Sequence, residues 1–157
     1  MADLTRADII KLIAVLQEGQ RLNLVNVDLS GLNLNGLSLS YANLIGANLE
    51  GAYLKGANLK GANLNSVNLC YANLERANLR GNNLVGADLT GANLDNANLN
   101  SADLSGTNLT GANLQSANLS SAKLCYANLY SADLTGANLF DANLTSANLT
   151  DVKGYNP

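Results

Sequence analysis

The sequence predicts an all-β solenoid, and three observations predict it. Leucine recurs at every fifth position from Leu24 to Leu149, twenty-six times without exception. The residue before each leucine is Asn or Asp in all but three units (Ser38, Tyr53 and Lys123). The residue two before it, from position 42 to 147, is Ala except at Val67, Asn82 and Thr107. The unit is therefore A-(N/D)-L-x-x, and a fixed short period of this fidelity marks a chain that stacks on itself.

Residues 1–21 stand outside the repeat and predict a short capping α-helix with a connector. Thr5 is placed to cap the helix N-terminus, with Asp8 as its acidic partner three residues on and Leu4 stapling onto Ile9. Ile9, Leu12, Ile13 and Leu16 form one apolar stripe, and Gly19 offers a stop. Solenoid ends expose both core and strand edge, so a covering element is expected there. The alternative, a membrane-surface or partner-binding helix, is weakened by a short stripe with few basic residues.

Residues 22–151 carry about 26 repeats. On an α-helix, leucines five apart would step round by roughly 140° each time and never form a stripe. In a long flat strand they would alternate faces, because five is odd. Asn and Gly recur along the repeat and favour turns. A chain that bends at each repeat resolves the conflict: one short extended step, one turn, and the leucine carried inward after every corner. Successive coils then join through parallel backbone hydrogen bonds at about 4.7–4.9 Å per layer.

The runs Ala42-Asn43-Leu44, Ala57-Asn58-Leu59 and Ala87-Asp88-Leu89 resemble the pentapeptide-repeat family, in particular its short cyanobacterial members, and the likeness covers residues 22–151. The resemblance implies a right-handed quadrilateral parallel β-helix with four repeats and twenty residues per coil. That makes about 6.5 coils, a rod roughly 30 Å long at that layer spacing. It also implies that the leucine and the residue two before it point inward. Close packing supports this independently, since a narrow tube needs one large and one small apolar side chain per side. Burial of each leucine contributes roughly 1.5–3 kcal/mol before chain entropy is subtracted. The first coil has larger inner residues (Leu22, Val27, Leu32 and Leu37), which predicts a wider turn packed against the helix. Asn82 and Thr107 fall at inner positions, where each needs a backbone partner from a neighbouring coil.

Residues 152–157 form a tail in which the repeat fades, and Pro157 would discourage open-ended stacking. No matching helix covers this end. Tyr126, Tyr130, Phe140 and Tyr155 gather near it, and they either pack over the last coil or form a contact surface for an end-to-end homodimer through the C-terminal coil.

The chemistry of the side chains excludes more than it offers. With no His and no Trp, the commonest general base and metal ligand is missing, so neither an enzyme nor a cofactor is expected. Cys70 and Cys125 lie nearly three coils apart, too far for a disulfide, and read as inert thiols in a reducing compartment. Asp88, Asp103 and Asp133 replace Asn in the turn-bonding slot and lack the dense spacing of a calcium loop, so no metal is expected. Charged residues make up 13% of the chain and the net charge is −3, which argues against direct nucleic-acid binding. No apolar run reaches membrane-spanning length, and the cytoplasm is the expected location.

Function is therefore expected in the outward positions. One outward column, Val25, Ile45 and Val85, is the most apolar side and the first candidate contact surface; the four C-terminal aromatics are the second. Lys55, Lys60, Arg76 and Arg80 form a basic zone, while residues 81–151 hold six acids against the single base Lys123. The expected function is a non-enzymatic protein-interaction scaffold for an unidentified protein partner. The family resemblance carries one alternative, a DNA mimic that binds DNA gyrase or topoisomerase, as the quinolone-resistance members do. Such a mimic should copy a phosphate track with one charge per about 1.7 Å of axis, and this chain interleaves bases with acids.

Overall fold

In the computed structural model, which describes residues 4–155, the chain winds into a four-sided coil of twenty residues per turn. Parallel bridges join each Asn-slot residue to the one twenty further on, in a ladder unbroken from Asn23↔Asn43 to Asp133↔Lys153. Three backbone hydrogen bonds per repeat join successive coils, one of them at the corner, where the Gly46 N–H donates to the Asn65 carbonyl at 3.0 Å. The leucine N–H donates forward to the next coil, as Leu44 does to Asn63 at 2.8 Å, and the Asn-slot N–H donates back, as Asn63 does to Ala42 at 2.9 Å. Each side is only one bridge wide, because the next two residues already turn the corner.

The corners explain the sequence between leucines. The second residue of each corner lies in the left-handed region, with φ between 53° and 72° from Asn26 to Asp151. Glycine fills many of these places, and Asn, Ser, Asp, Arg or Tyr the others. At most corners an Asn or Asp in the Asn slot closes the turn by accepting the N–H two residues on, as Asn58 does from Lys60 and Asn118 from Ser120. Its amide then donates to the equivalent residue of the previous coil, giving runs such as Asn68 to Asn48 at 3.1 Å and Asn113 to Asn93 at 3.1 Å.

Inside the tube, the leucines and alanines from Leu44 to Leu134 are essentially inaccessible to water. The interior is a packed column of alternating large and small side chains with no lumen.

The helix α1 spans Arg6–Ala14. Thr5 and Asp8 form a reciprocal capping box, with the Thr5 side chain accepting from the Asp8 N–H and the Asp8 carboxylate accepting from the Thr5 N–H at 3.0 Å. Ile9 is fully buried, and Ile13 and Leu16 pack against the same core. Leu12 departs from the expected stripe: it is 39% exposed, because a tube one coil wide covers only a narrow arc of the helix. The helix also stops earlier than Gly19. At its end the Val15 N–H donates to the Lys11 carbonyl and the Leu16 N–H to the Ile13 carbonyl, and a Gln17–Gln20 turn follows. Arg6 ties α1 to the coil by donating to the carbonyls of Asn33 at 2.6 Å and Asn35 at 3.1 Å.

The two inner polar residues behave differently. The Thr107 hydroxyl donates to the Leu84 carbonyl of the previous coil at 3.1 Å, as a cross-coil bond requires. Asn82 does not follow: it is buried, and neither its amide nitrogen nor its side-chain oxygen has a partner. The same slot in the adjacent coils holds Ala62 and Ala102, whose side chains offer the carboxamide no polar partner. Tyr155 packs against the core of the last coil, and Gly154 passes close over Thr135. The expected role of Pro157 lies outside the described residues.

Candidate interaction surfaces

With the interior filled, the corners are where side chains meet solvent, and twenty-residue stacking sorts them into four columns. The first column runs Val25, Ile45, Asn65, Val85, Ser105, Cys125, Thr145, with Tyr126 beside Cys125. Val25 is 36% exposed, while Ile45 and Val85 are half-buried. Val25, Ile45, Val85 and Tyr126 thus share one corner, with Asn65 and Ser105 interrupting the apolar run.

The aromatic residues do not form one patch. Tyr126 lies on the Val25 corner, Tyr130 on the Ser30 corner, Tyr155 on the Asn35 corner and Phe140 on the Ser40 corner. Phe140 is 78% and Tyr126 72% exposed, whereas Tyr155 is drawn onto the core. A ring at each corner makes a girdle around the last two coils.

Three further exposed tyrosines, Tyr41, Tyr53 and Tyr71, were not among the expected contact residues. Tyr41 and Tyr71 occupy left-handed corner positions and lie across the glycine twenty residues on. A methyl group added at Gly61 would sit 2.6 Å from the Tyr41 ring, and one at Gly91 would sit 2.7 Å from Tyr71. The signal that could have found them is a corner Tyr followed by Gly at plus twenty. Tyr126 has Ser146 in that place instead.

Charge is distributed unevenly and much of it is internally engaged. Glu75 accepts Lys55 at 2.8 Å and lies 3.6 Å from Arg76, and the Lys55 hydrogen bond holds its carboxyl below the ordinary range. Lys60 and Arg80 stack on successive coils of the Ser40 corner, with no acidic partner among the described residues. In the acidic half, Asp88 and Asp103 are partly buried, which opposes ionisation, yet hydrogen bonds from Thr90 and Ser105 hold both carboxyls below their usual values. Thr135 does the same for Asp133. These acids serve turns. Burial, then the hydrogen bond to Asp88, pushes the Cys70 thiol up, away from the thiolate. Among the described residues, no cluster of His, Cys, Asp or Glu could hold a metal ion, and no helix is long and apolar enough to cross a membrane.

The family description "Pentapeptide repeats" matches eight copies of the unit, spread over residues 23–61, 57–96, 72–111 and 112–151. Among solved structures, the chain is similar to a pentapeptide repeat protein of the Arabidopsis thaliana thylakoid lumen. They share 35% identity over 62% of this chain and 68% of that one, with a TM-score of 0.60. It also matches HetL, a pentapeptide repeat protein involved in heterocyst differentiation regulation from a Nostoc cyanobacterium, at 26% identity over 95% and 96% of the two chains, with a TM-score of 0.32. A third match is QnrB1, a plasmid-mediated fluoroquinolone resistance protein, at 22% identity over 83% and 81%, with a TM-score of 0.43. No curated protein sequence matches. The solenoid of these structures is a right-handed β-helix.

Proposed function

The chain belongs to the pentapeptide-repeat family, and from that premise we propose that it is a non-enzymatic protein-interaction scaffold. The observation that carries the proposal is the closed interior. From Leu44 to Leu134 the inner leucines and alanines fill the tube, so any ligand must be met by the outward corners or the coil ends. Of the outward positions, the Val25–Ile45–Val85 corner with Tyr126 offers the most apolar surface, and apolar and aromatic groups supply most of the energy of a protein contact. The girdle of Tyr130 and Phe140 at the C-terminal end is the second surface, suited to end-to-end pairing of two copies through the last coil. Two free thiols far apart are consistent with a reducing cytoplasm.

The test of the first surface is affinity capture from native lysate with wild type and a Val25→Asp/Ile45→Asp variant. Both positions are outward, so the fold should survive. Loss of a partner that wild type retains supports the corner; unchanged recovery removes it.

The competing reading, a gyrase-binding DNA mimic, comes from the family resemblance, and the acids it would use are the six between residues 81 and 151. Asp88, Asp103 and Asp133 are committed to turns, and the other three, Asp95, Asp141 and Asp151, lie on three different corners. No column of charge builds up to copy a phosphate track. A gyrase supercoiling assay separates the readings: inhibition at micromolar protein would install the mimic and displace the scaffold.

A further inference from the structure

Most cations of the rod are engaged within the chain. Lys11 faces Asp8, Lys55 and Arg76 share Glu75, and Lys123 faces Asp103. Arg6 donates to the Asn33 and Asn35 carbonyls, and Lys153 stands opposite Asp133 on the ladder. Arg21, Lys60 and Arg80 form no ion pair among the described residues, and all three are exposed. Twenty-residue stacking sets them on one corner. Arg21 stands one coil before Tyr41 and lies over its ring, 5.9 Å from the centroid. Lys60 and Arg80 follow on the next two coils, beside Gly61 and Gly81, which carry no side chain to cover them. At about 4.7–4.9 Å per layer, the three cations line about 15 Å of the rod.

The immediate surroundings of this strip hold no acid. The flanking side slots are Asn43, Asn63 and Asn83 on one face and Ser38, Asn58 and Asn78 on the other. Glu18 precedes Arg21 by three residues and makes no ion pair among the described residues. Asp141 lies on the same corner three coils beyond Arg80. Leu4, the first described residue, sits by Asp28, Ser30 and Leu32, at the diagonally opposite corner. On a chain of net charge −3, three unpaired cations in one line reverse the local sign.

Carboxylates fit this strip better than a nucleic acid does. An extended peptide advances about 3.3–3.4 Å per residue, so about five residues span it. Tyr41, the one aromatic residue in the strip, is covered by Arg21 and held against Gly61, so its ring is occupied within the chain and not offered to a base. Asp141 would repel a polyphosphate that continued along the corner.

We propose that Arg21, Lys60 and Arg80 form a docking strip for an acidic segment, rich in Asp or Glu, of a protein partner. This rests on the scaffold reading and names the chemistry of one partner surface for it; the Val25 corner is a separate surface.

The test is a titration of the isotope-labelled full chain with an oligoglutamate peptide of about six residues, followed by amide chemical shifts. Shifts should concentrate around Arg21, Tyr41, Lys60 and Arg80 and fade as salt rises from about 50 to about 300 mM. Lys60→Glu and Arg80→Glu should each weaken binding at least about fivefold. Lys153→Glu, the same charge change away from the strip, should alter it by less than about twofold. Circular dichroism should show all three variants folded as wild type, since each position is exposed. The proposal is overturned if oligoglutamate leaves these amides unshifted at about 50 mM salt, or if Lys60→Glu and Arg80→Glu bind it like wild type. It is also overturned if a short oligothymidylate binds more tightly at the same residues, which would make the strip a nucleic-acid site. Failure here leaves the lysate capture with Val25→Asp/Ile45→Asp unchanged, whereas failure of the scaffold reading shows in that capture.

Discussion

At the N-terminal end of the rod Leu24, Leu29 and Leu34 are buried beneath α1, with Ile9 sealed into the same core. At the C-terminal end Leu139, Leu144 and Leu149 occupy the same slot of the same repeat, yet they are only half-buried. Among the described residues, the amides of Leu139, Leu144 and Leu149 also lack the forward partner that Leu24 finds in Asn43 and Leu29 in Asn48. Identical sequence thus has unequal energetic value along the rod. In a solenoid a repeat draws its stability from its neighbours, and the terminal repeat has only one.

Truncating one leucine at each end should expose this difference most strongly. Leu29→Ala removes a buried side chain from a packed coil and should cost about 2–5 kcal/mol in chemical denaturation. Leu149→Ala removes a half-exposed one and should cost about 1 kcal/mol or less. Equal losses would erase the distinction between the ends.

Asn82 lies between them and should act in the opposite direction. Its carboxamide is buried without a partner, while Ala62 and Ala102 hold the same slot in the adjacent coils. Asn82→Ala should therefore stabilise the protein by about 1–3 kcal/mol, the penalty of an unsatisfied buried group. A loss of stability would mean that the carboxamide is satisfied inside the tube.

The cap itself can be loosened without touching the coil. Thr5→Ala breaks the capping box and should destabilise α1 by about 0.5–2 kcal/mol. Hydrogen exchange should quicken across Arg6–Ala14 and leave the amides of the last coil as they were. A uniform change along the chain would show that the ends are coupled through the whole rod.

Acid should act weakly at both ends. Hydrogen bonds from Ser30 hold the Asp28 carboxyl low near the capped end, and those from Thr135 hold Asp133 low near the bare end. A carboxyl depressed in the folded state contributes stability that is fully present above its unfolded value of about 3.9 and is lost as pH falls through the folded value. Stability should thus be flat near neutrality and decline below about pH 4. Asp133→Asn supplies the amide used at equivalent slots and should remove that part of the decline, seen as a smaller shift in melting temperature between neutral and acid buffer.

Much of this architecture was legible before any coordinates. The Leu and Ala assignments followed from a period that admits one inward register, and the start of α1 from Thr5 and Asp8 at capping distance. The end of α1 was misread at Gly19, because Val15 caps the helix through carbonyls that no pattern of side chains announces. Leu12 was read as core, since periodicity gives a direction but not the width of what covers it. The seats of Tyr41 and Tyr71 were invisible to a reading that treated each corner alone. That Tyr130 and Phe140 lie on different faces followed already from sorting the chain by twenties.

What the sequence alone determined is the inside of the rod: which residues point inward and where the capped end begins. It could do so because burial answers to a local period of five. Only the tertiary structure decided that Asn82 finds no partner while Thr107 does, and that α1 leaves Leu12 and Val15 exposed. Those facts depend on contacts twenty or more residues apart, and on how much of each element the narrow coil can cover.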